Sequence, residues 1–384
     1  MRPVPPAPER PSPDDGKKLP QLDALRGIAI LAVFTQHLGD RFLPLVRGAV
    51  EQRLPPSLVP WVLTVLHHAW WGVDLFFVLS GFSLSLSYIR SNGAPLGAFF
   101  LRRAARILPA YYLALAVTLL FHRTLVFAPH FSSSLFAHLL VLQGYWAPGG
   151  LIFIGATWSL TTEISYYLVF PWLARALLDV KRGLFFLALL VVLGWVMRAV
   201  LHALYVEPDV WTPAFETTQR RLLPARMDQF VLGMIAARLF VSLAAKSQAR
   251  RLAPWVVLAS LPLLVLAFRL EGTFFLRPWG TAAYAFLSLV TAILVLSASL
   301  LEGRARKLFT PRPLVFIGIA SYGIFLYHQL ALGLCDLDRG LPPSWGNLGR
   351  TALLALALSV AVGHASWVLV EKPLIRLATR KRLP

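Results

Sequence analysis

Six ionisable side chains interrupt long apolar runs in this chain: His37, Asp74, Glu163, Arg198, Asp228 and His328. Such groups are costly at bilayer depth, and by default they mark a pathway or a reaction site. Counting along the runs places all six in the outer halves of six different helices, so a single polar chamber opening to the outer face is expected. There a histidine can exchange protons near neutral pH, and nearby carboxylates can orient and tune it. His37 is the candidate base, and Asp74 and Glu163 are the candidate carboxylates. The plainer reading makes each residue interfacial or paired. It explains any one of them equally well, but three acids buried near histidines are hard to justify as packing.

Arg26 precedes His37 by eleven residues, which on a helix puts them within roughly 20° of one face and about 16 Å apart along the axis. An inner arginine and an outer-half histidine on one line suit a long substrate with an anionic head and a reactive tip. Arg103 and Arg106, spaced i,i+3, can add phosphate contacts. Basic clusters at helix ends give such spacings by chance, so that pair carries less weight.

The elements that must position these residues are membrane helices. Apolar residues make up 57% of the 384 positions and charged ones 14%, with a mean hydropathy of +0.65, well above that of a soluble domain. Spans need about 20 mainly apolar residues, and the runs fall near 22-38, 69-89, 107-121, 159-178, 184-201, 228-243, 254-268, 279-300, 313-334 and 351-370. A bundle of about ten transmembrane helices, an all-α integral membrane protein, is expected, with 135-146 as a possible interfacial or re-entrant piece. With the N-terminus inside, 22 of the 37 Lys and Arg residues fall on the inner side against 11 in the outer loops, which puts both termini in the cytoplasm by the positive-inside rule. The net charge of +19 then reflects topology and attraction to anionic membrane lipids, not nucleic acid. The proline-rich segment 1-20 reads as a disordered cytoplasmic tail, 21-372 as the membrane domain and 373-384 as a basic cytoplasmic tail. Cys335 is the sole cysteine and no Cys/His spacing has metal-site character, so no metal is expected. Gly81 and Pro262 are expected to interrupt their helices.

Several stretches resemble acyltransferase family 3, multi-pass membrane enzymes that O-acylate sugars, envelope glycans and some secondary metabolites. They include Leu22-Asp23-Ala24-Leu25-Arg26-Gly27 leading to His37, Gly72-Val73-Asp74-Leu75-Phe76-Phe77-Val78-Leu79-Ser80-Gly81-Phe82, and the Arg-x-x-Arg of Arg103 and Arg106 before Pro109. Trp158-Ser159-Leu160-Thr161-Thr162-Glu163, Ser321-Tyr322-Gly323-Ile324-Phe325-Leu326-Tyr327-His328 and Glu371-Lys372-Pro373-Leu374 follow in family order. The resemblance implies an acyl-CoA donor (acetyl-CoA by default), a carbohydrate or glycosylated hydroxyl acceptor, and a place in the cytoplasmic (inner) membrane. It implies His37 as the essential base, with Arg26, Arg103 and Arg106 serving the donor. Joined to the depth argument, it gives Asp74 or Glu163 the task of holding the His37 tautomer and stabilising its imidazolium.

The chain departs from the family where Glu163 is followed by Ile164-Ser165-Tyr166-Tyr167; relatives commonly place a second acidic or amide residue there. Many relatives also append a soluble esterase-like domain. The competing classes are a proton-coupled transporter or flippase using the buried ionisable layer as a relay, and a scaffold without chemistry. No fixed-period repeat supports the transporter reading. No Gly-x-Ser-x-Gly elbow or Walker A loop is present, so lipase-like and nucleotide-hydrolysing mechanisms have no support.

Overall fold

The structure is a computed structural model that describes residues 19–93, 95–146, 151–205, 221–274, 280–338 and 340–380. The expected tail 1-20 lies almost wholly outside the described residues, as do most of the loop 202-226 and the last four positions. All regular elements described are helical: α1 (Pro20–Arg53), α2 (Val59–His67), α3 (Trp71–Arg90), α4 (Leu96–Phe121), α5 (Phe131–Leu139), α6 (Trp158–Ala174), α7 (Val180–Tyr205), α8 (Leu223–Leu243), α9 (Ser247–Phe274), α10 (Gly280–Ser299), α11 (Gly303–Phe309), α12 (Arg312–Ile319), α13 (Ser321–Cys335), α14 (Trp345–Ser366) and α15 (Lys372–Arg380). The segment expected as a basic tail from 373 is therefore helical through Arg380. The 135-146 stretch is the end of α5 followed by turns.

Six of these segments are long and apolar enough to cross a bilayer: Trp71–Arg90, Leu96–Phe121, Arg182–Leu204, Ser247–Thr273, Gly280–Ser299 and Trp345–Thr379. The bent pair α12 and α13, meeting at 82°, makes a seventh if it is one span. The remaining three expected runs are helices as well, α1, α6 and α8, but they fall short of a plain apolar span. Their sequences explain this: α6 has only 17 residues, α1 carries Asp23, Arg26, His37 and Asp40, and α8 carries Arg226, Asp228 and Arg238. At 1.5 Å per residue, the 34 residues of α1 extend over about 50 Å, well beyond the roughly 30 Å hydrocarbon layer.

Burial separates an inner set of helices from an outer one. The apolar windows of α3 and α10 are 61% and 67% buried, whereas that of α7 and that of the Trp345–Thr379 segment are each 22% buried. Helices that are apolar all round and little buried face lipid, so α3 and α10 belong to the centre and α7 and α14 to the rim.

The centre is held by close backbone approach. Where α3 crosses α8, a Cβ on Gly81 would strike the Phe230 carbonyl and one on Gly233 would strike the Val78 carbonyl. Small residues at such crossings let membrane helices pack on their backbones, where burial of apolar surface supplies little drive. Gly81 thus serves packing, and α3 continues through it; α9 likewise continues through Pro262. Neither position interrupts its helix, contrary to the expectation from sequence.

A candidate active site in two chambers

The first chamber is a cavity of about 300 Å³ lined by Arg26, Arg103, Arg106, Glu163, Tyr167 and Tyr322, among others. Four elements supply them. Arg26 leans from α1 toward α3, donating to Asp23 Oδ1 and to Ser83 Oγ, both at 2.8 Å. Arg103 and Arg106 project from one side of α4. The Arg103 guanidinium lies over the Tyr167 ring at 5.9 Å, and its buried Nε has no hydrogen-bond partner. Neither Arg103 nor Arg106 forms a salt bridge among the described residues.

Glu163 is the acid of this chamber. Its Oε1 accepts from Ser80 Oγ at 2.9 Å and from Tyr167 Oη at 2.5 Å. The lining holds three guanidinium groups and one carboxylate, with Asp23 on Arg26 and Glu371 close to Arg106 as further acids. Arg103 has no carboxylate bonded to it among the described residues, and a cation in a low-dielectric setting is costly without an anionic partner.

The second chamber is a wider vestibule of about 600 Å³ lined by His37, Asp40, Arg41, Gln329, Asp336 and Thr351, among others. Its wall is braced by Arg41, which pairs with Asp336 and donates to the Asp338 carbonyl at 2.6 Å. His37 shares its Nδ1 between the Val33 carbonyl at 2.9 Å and His328 Nε2 at 3.2 Å. His328 is completely buried and its Nδ1 meets the Phe325 carbonyl at 2.8 Å.

Helix α13 links the chambers. Ser321, Tyr322 and Phe325 line the arginine cavity, whereas Gln329, Leu332, Gly333 and Asp336 line the vestibule. Phe325 and Gln329 are four residues apart, so the two linings are offset by about 6 Å of helix. The sharp bend before Ser321 starts this helix at the arginine cavity.

The single chamber expected from the sequence is in fact three clusters. Asp74 is not near His37: Arg226 Nη1 donates to its Oδ1 at 2.8 Å, and Tyr284 Oη lies 3.0 and 2.9 Å from its two carboxylate oxygens. Arg198 pairs with Asp228 at 2.6 Å, and the Trp195 indole N–H donates to the same carboxylate at 3.0 Å. The Arg198 guanidinium stacks over the Tyr284 ring at 4.4 Å, which joins both ion pairs into one buried network. The physical reason lies in the α1–α3 approach, where Gly72 sits against the Ala29 carbonyl. This sets the first turn of α3 at the level of Ala29, about 12 Å along α1 from His37.

Glu163 is displaced further in the same direction, to the arginine cavity, because α6 is docked on Ser80, about two turns into α3. Neither carboxylate holds the His37 imidazole; His328 and the Val33 carbonyl occupy that place. Arg26, Arg103 and Arg106, which the family resemblance grouped, line one cavity. The apolar runs leave Arg226 in the outer segment between 184-201 and 228-243, whereas that side chain is 1% exposed. The signal was available: Arg226 stands two residues before Asp228 at the start of an apolar run. Gln329, Tyr167 and Tyr322 carried no ionisable signal and were not singled out. Among the described residues, no cluster of three or more His, Cys, Asp or Glu side chains could hold a metal ion.

Comparison with known proteins gives these clusters a context. Residues 19–367 match the family described as an acyltransferase domain. The peptidoglycan O-acetyltransferase OatA of Listeria monocytogenes is 25% identical over 382 residues, covering 93% of this chain and 56% of that protein. The chain thus spans little more than half the length of that relative. Nodulation protein 10 of Rhizobium leguminosarum is 29% identical over 83% of this chain and 85% of its own length. The acyltransferase MdmB of Streptomyces mycarofaciens is 28% identical over 95% of this chain and 94% of its own. No solved structure matches.

Proposed function

The chain belongs to the acyltransferase domain family, and on that premise we propose that it transfers an acyl group from acyl-CoA to a hydroxyl of a carbohydrate or glycosylated acceptor. The observation that carries the reading is the pair of chambers offset by about one turn of α13. One holds three arginines suited to an anionic donor, and the other holds a histidine with an accessible ring face. Relatives named as peptidoglycan O-acetyltransferases support a carbohydrate acceptor and an acetyl group.

In this mechanism the donor phosphates bind Arg26, Arg103 and Arg106, the fork-shaped guanidinium groups matching phosphate oxygens. The pantetheine arm then passes Phe325 and carries the thioester toward His37. The acceptor oxygen attacks the thioester carbonyl while His37 Nε2 takes its proton. The tetrahedral intermediate collapses with cleavage of the C–S bond, and the CoA sulfur recovers the proton from His37, leaving ester and free CoA. Glu163 orients Tyr167 and Ser80 at the donor cavity. Asp74 acts at a distance from the chemistry, by fixing Arg226 between α3 and α8.

The same reading places ten crossings in the cytoplasmic membrane with both termini inside: the six apolar spans, the bent pair, and α1, α6 and α8, whose charges are tolerated because they face the chambers or the buried network. The arginine cavity then faces the cytoplasm, where acyl-CoA is made, and the vestibule faces outward. The test is CoA release by purified wild-type protein and by His37→Ala, with acetyl-CoA and a longer acyl-CoA as donors. Release by wild type alone is the expected result. Equal release by both, or none by folded wild type with either donor, overturns the reading.

A further inference from the structure

We infer that His328 is a positioning residue that fixes the His37 imidazole with Nε2 as its proton acceptor, an inference that rests on the acyl-transfer reading. A carbonyl oxygen can only accept a hydrogen bond. The Phe325 carbonyl at 2.8 Å from His328 Nδ1 therefore places a proton on that nitrogen, and neutral His328 presents a lone pair at Nε2. His37 Nδ1 lies 3.2 Å from that lone pair and 2.9 Å from the Val33 carbonyl, so it too carries a proton. The two assignments agree without any appeal to hydrogen positions. They leave His37 Nε2 as the basic nitrogen on a residue that lines the vestibule.

The other helical histidines show what is particular to this one. His68, His122 and His138 also bring Nδ1 to the carbonyl four residues earlier, so that contact is a local habit of histidine on a helix. The Nε2 of His68 meets Glu271 at 2.8 Å, and that of His138 accepts the Phe153 N–H at 3.1 Å. Both are occupied in packing. His37 alone combines an Nε2 with no partner among the described residues, a place on the vestibule wall and a second ring gripping its Nδ1–H. The rings of His37 and His328 meet edge to face with centroids 4.9 Å apart, which hinders rotation of His37 away from the reacting position. When Nε2 takes a proton, the Nδ1–H to His328 bond becomes charge-assisted and strengthens. A neutral imidazole thus does the orienting that the sequence assigned to a carboxylate.

Two amide substitutions separate the two hydrogen bonds of His328. In H328Q the amide oxygen is as many bonds from Cβ as Nε2 was, so it can still accept from His37. In H328N the amide nitrogen stands at the Nδ1 position and can donate to Phe325, and nothing reaches His37. Both are compared at matched thermal stability in detergent. H328N is expected to lose about 10- to 100-fold in kcat with the donor KM unchanged, a part of the range general base catalysis commands, and H328Q to recover most of that loss. Diethyl pyrocarbonate, followed by peptide mass spectrometry, gives a readout that needs no substrate. His37 in H328N should be carbethoxylated about threefold more slowly than in H328Q, because it lacks the acceptor that enriches its ring. Equal kcat in the two variants, or equal carbethoxylation of His37, overturns the inference. If wild type releases no CoA while the carbethoxylation difference persists, the acyl-transfer reading falls and the histidine pair stands.

Discussion

Two groups of arginines lie inside this bundle, one buried and one half-buried along a cavity, and they are treated in opposite ways. Arg226 and Arg198 are 1% and 2% exposed, and each meets an aspartate and an aromatic face, with Tyr284 shared between them. Their charges are neutralised where they stand. Arg26, Arg103 and Arg106 line a cavity instead, with Asp23 paired to Arg26, Glu163 in the lining and Glu371 close to Arg106. A buried ion pair roughly balances its desolvation cost, whereas an unbalanced buried charge is strongly unfavourable. The first group therefore fits a structural role, and under the proposed function the second is the one left to meet an anion. The difference turns a list of intramembrane charges into an assignment of roles.

The sharpest way to break that assignment is to remove one member of the neutralised group. Arg226→Met removes the guanidinium paired with buried Asp74 and should cost about 3–5 kcal/mol of stability, read as thermal unfolding in detergent and as yield from membranes. Adding Asp74→Leu should recover most of the loss, because replacing both partners by apolar groups is often close to neutral. If the single variant is as stable as wild type, the pair is not structural and the contrast with the cavity arginines disappears.

The matching change in the other group should move binding and leave the fold intact. Arg103→Gln is expected to raise the acyl-CoA KM by about 10- to 100-fold, the worth of one charge-assisted hydrogen bond, while stability stays within about 1 kcal/mol or improves through relief of arginine repulsion. Kinetics with acetyl-CoA and a parallel melt decide it. A collapse in stability comparable to that of Arg226→Met would place Arg103 with the structural group.

The contrast between the two groups explains what could be read before the structure. That Arg26 belongs with the Arg103/Arg106 pair came only from the family resemblance. Arg103 and Arg106 were legible as a pair because they share a helix face, and Arg26 with His37 because eleven residues bring them to one face of one helix. The apolar runs were legible for the same local reason. Partnerships between helices were not: nothing in the spacing of Asp74 or Glu163 reports how far α3 and α6 slide along α1, and that slide is set by backbone contacts such as Gly72 on Ala29. Depth counted from helix ends therefore merged three clusters into one. Arg226 was misplaced because a charge at the edge of an apolar run reads equally well as the last loop residue or the first buried one. His328 was visible as an ionisable residue in an apolar run, but its bond to His37 spans 291 positions.

Glu163 tests the balance inside the cavity with a smaller step. Glu163→Gln keeps an oxygen for Tyr167 and Ser80 and removes the negative charge that faces three arginines. The empty cavity becomes more repulsive and the anion better attracted, so stability should fall by up to about 1 kcal/mol while the acyl-CoA KM falls about two- to fivefold. Opposite signs for fold and donor binding are the signature of a site whose charge excess is kept for a ligand. A rise in KM instead would mean that Glu163 helps to hold the donor directly, for example through Tyr167.

The smallest effect is expected where an arginine pair lies in neither group. Arg250 and Glu302 meet at 3.2 Å with side chains 36% and 59% exposed, so water screens the pair and each partner remains solvated without the other. Arg250→Gln should change stability by no more than about 0.5 kcal/mol and leave the acyl-CoA KM and turnover unaltered. The same substitution type thus carries three outcomes at three depths: loss of the fold where the charge is buried and paired, loss of donor binding where it lines the cavity, and neither where it is wet. A clear effect of Arg250→Gln on KM would extend the donor site beyond the cavity to the first turn of α9, and the phosphate contacts would have to be redrawn to include it.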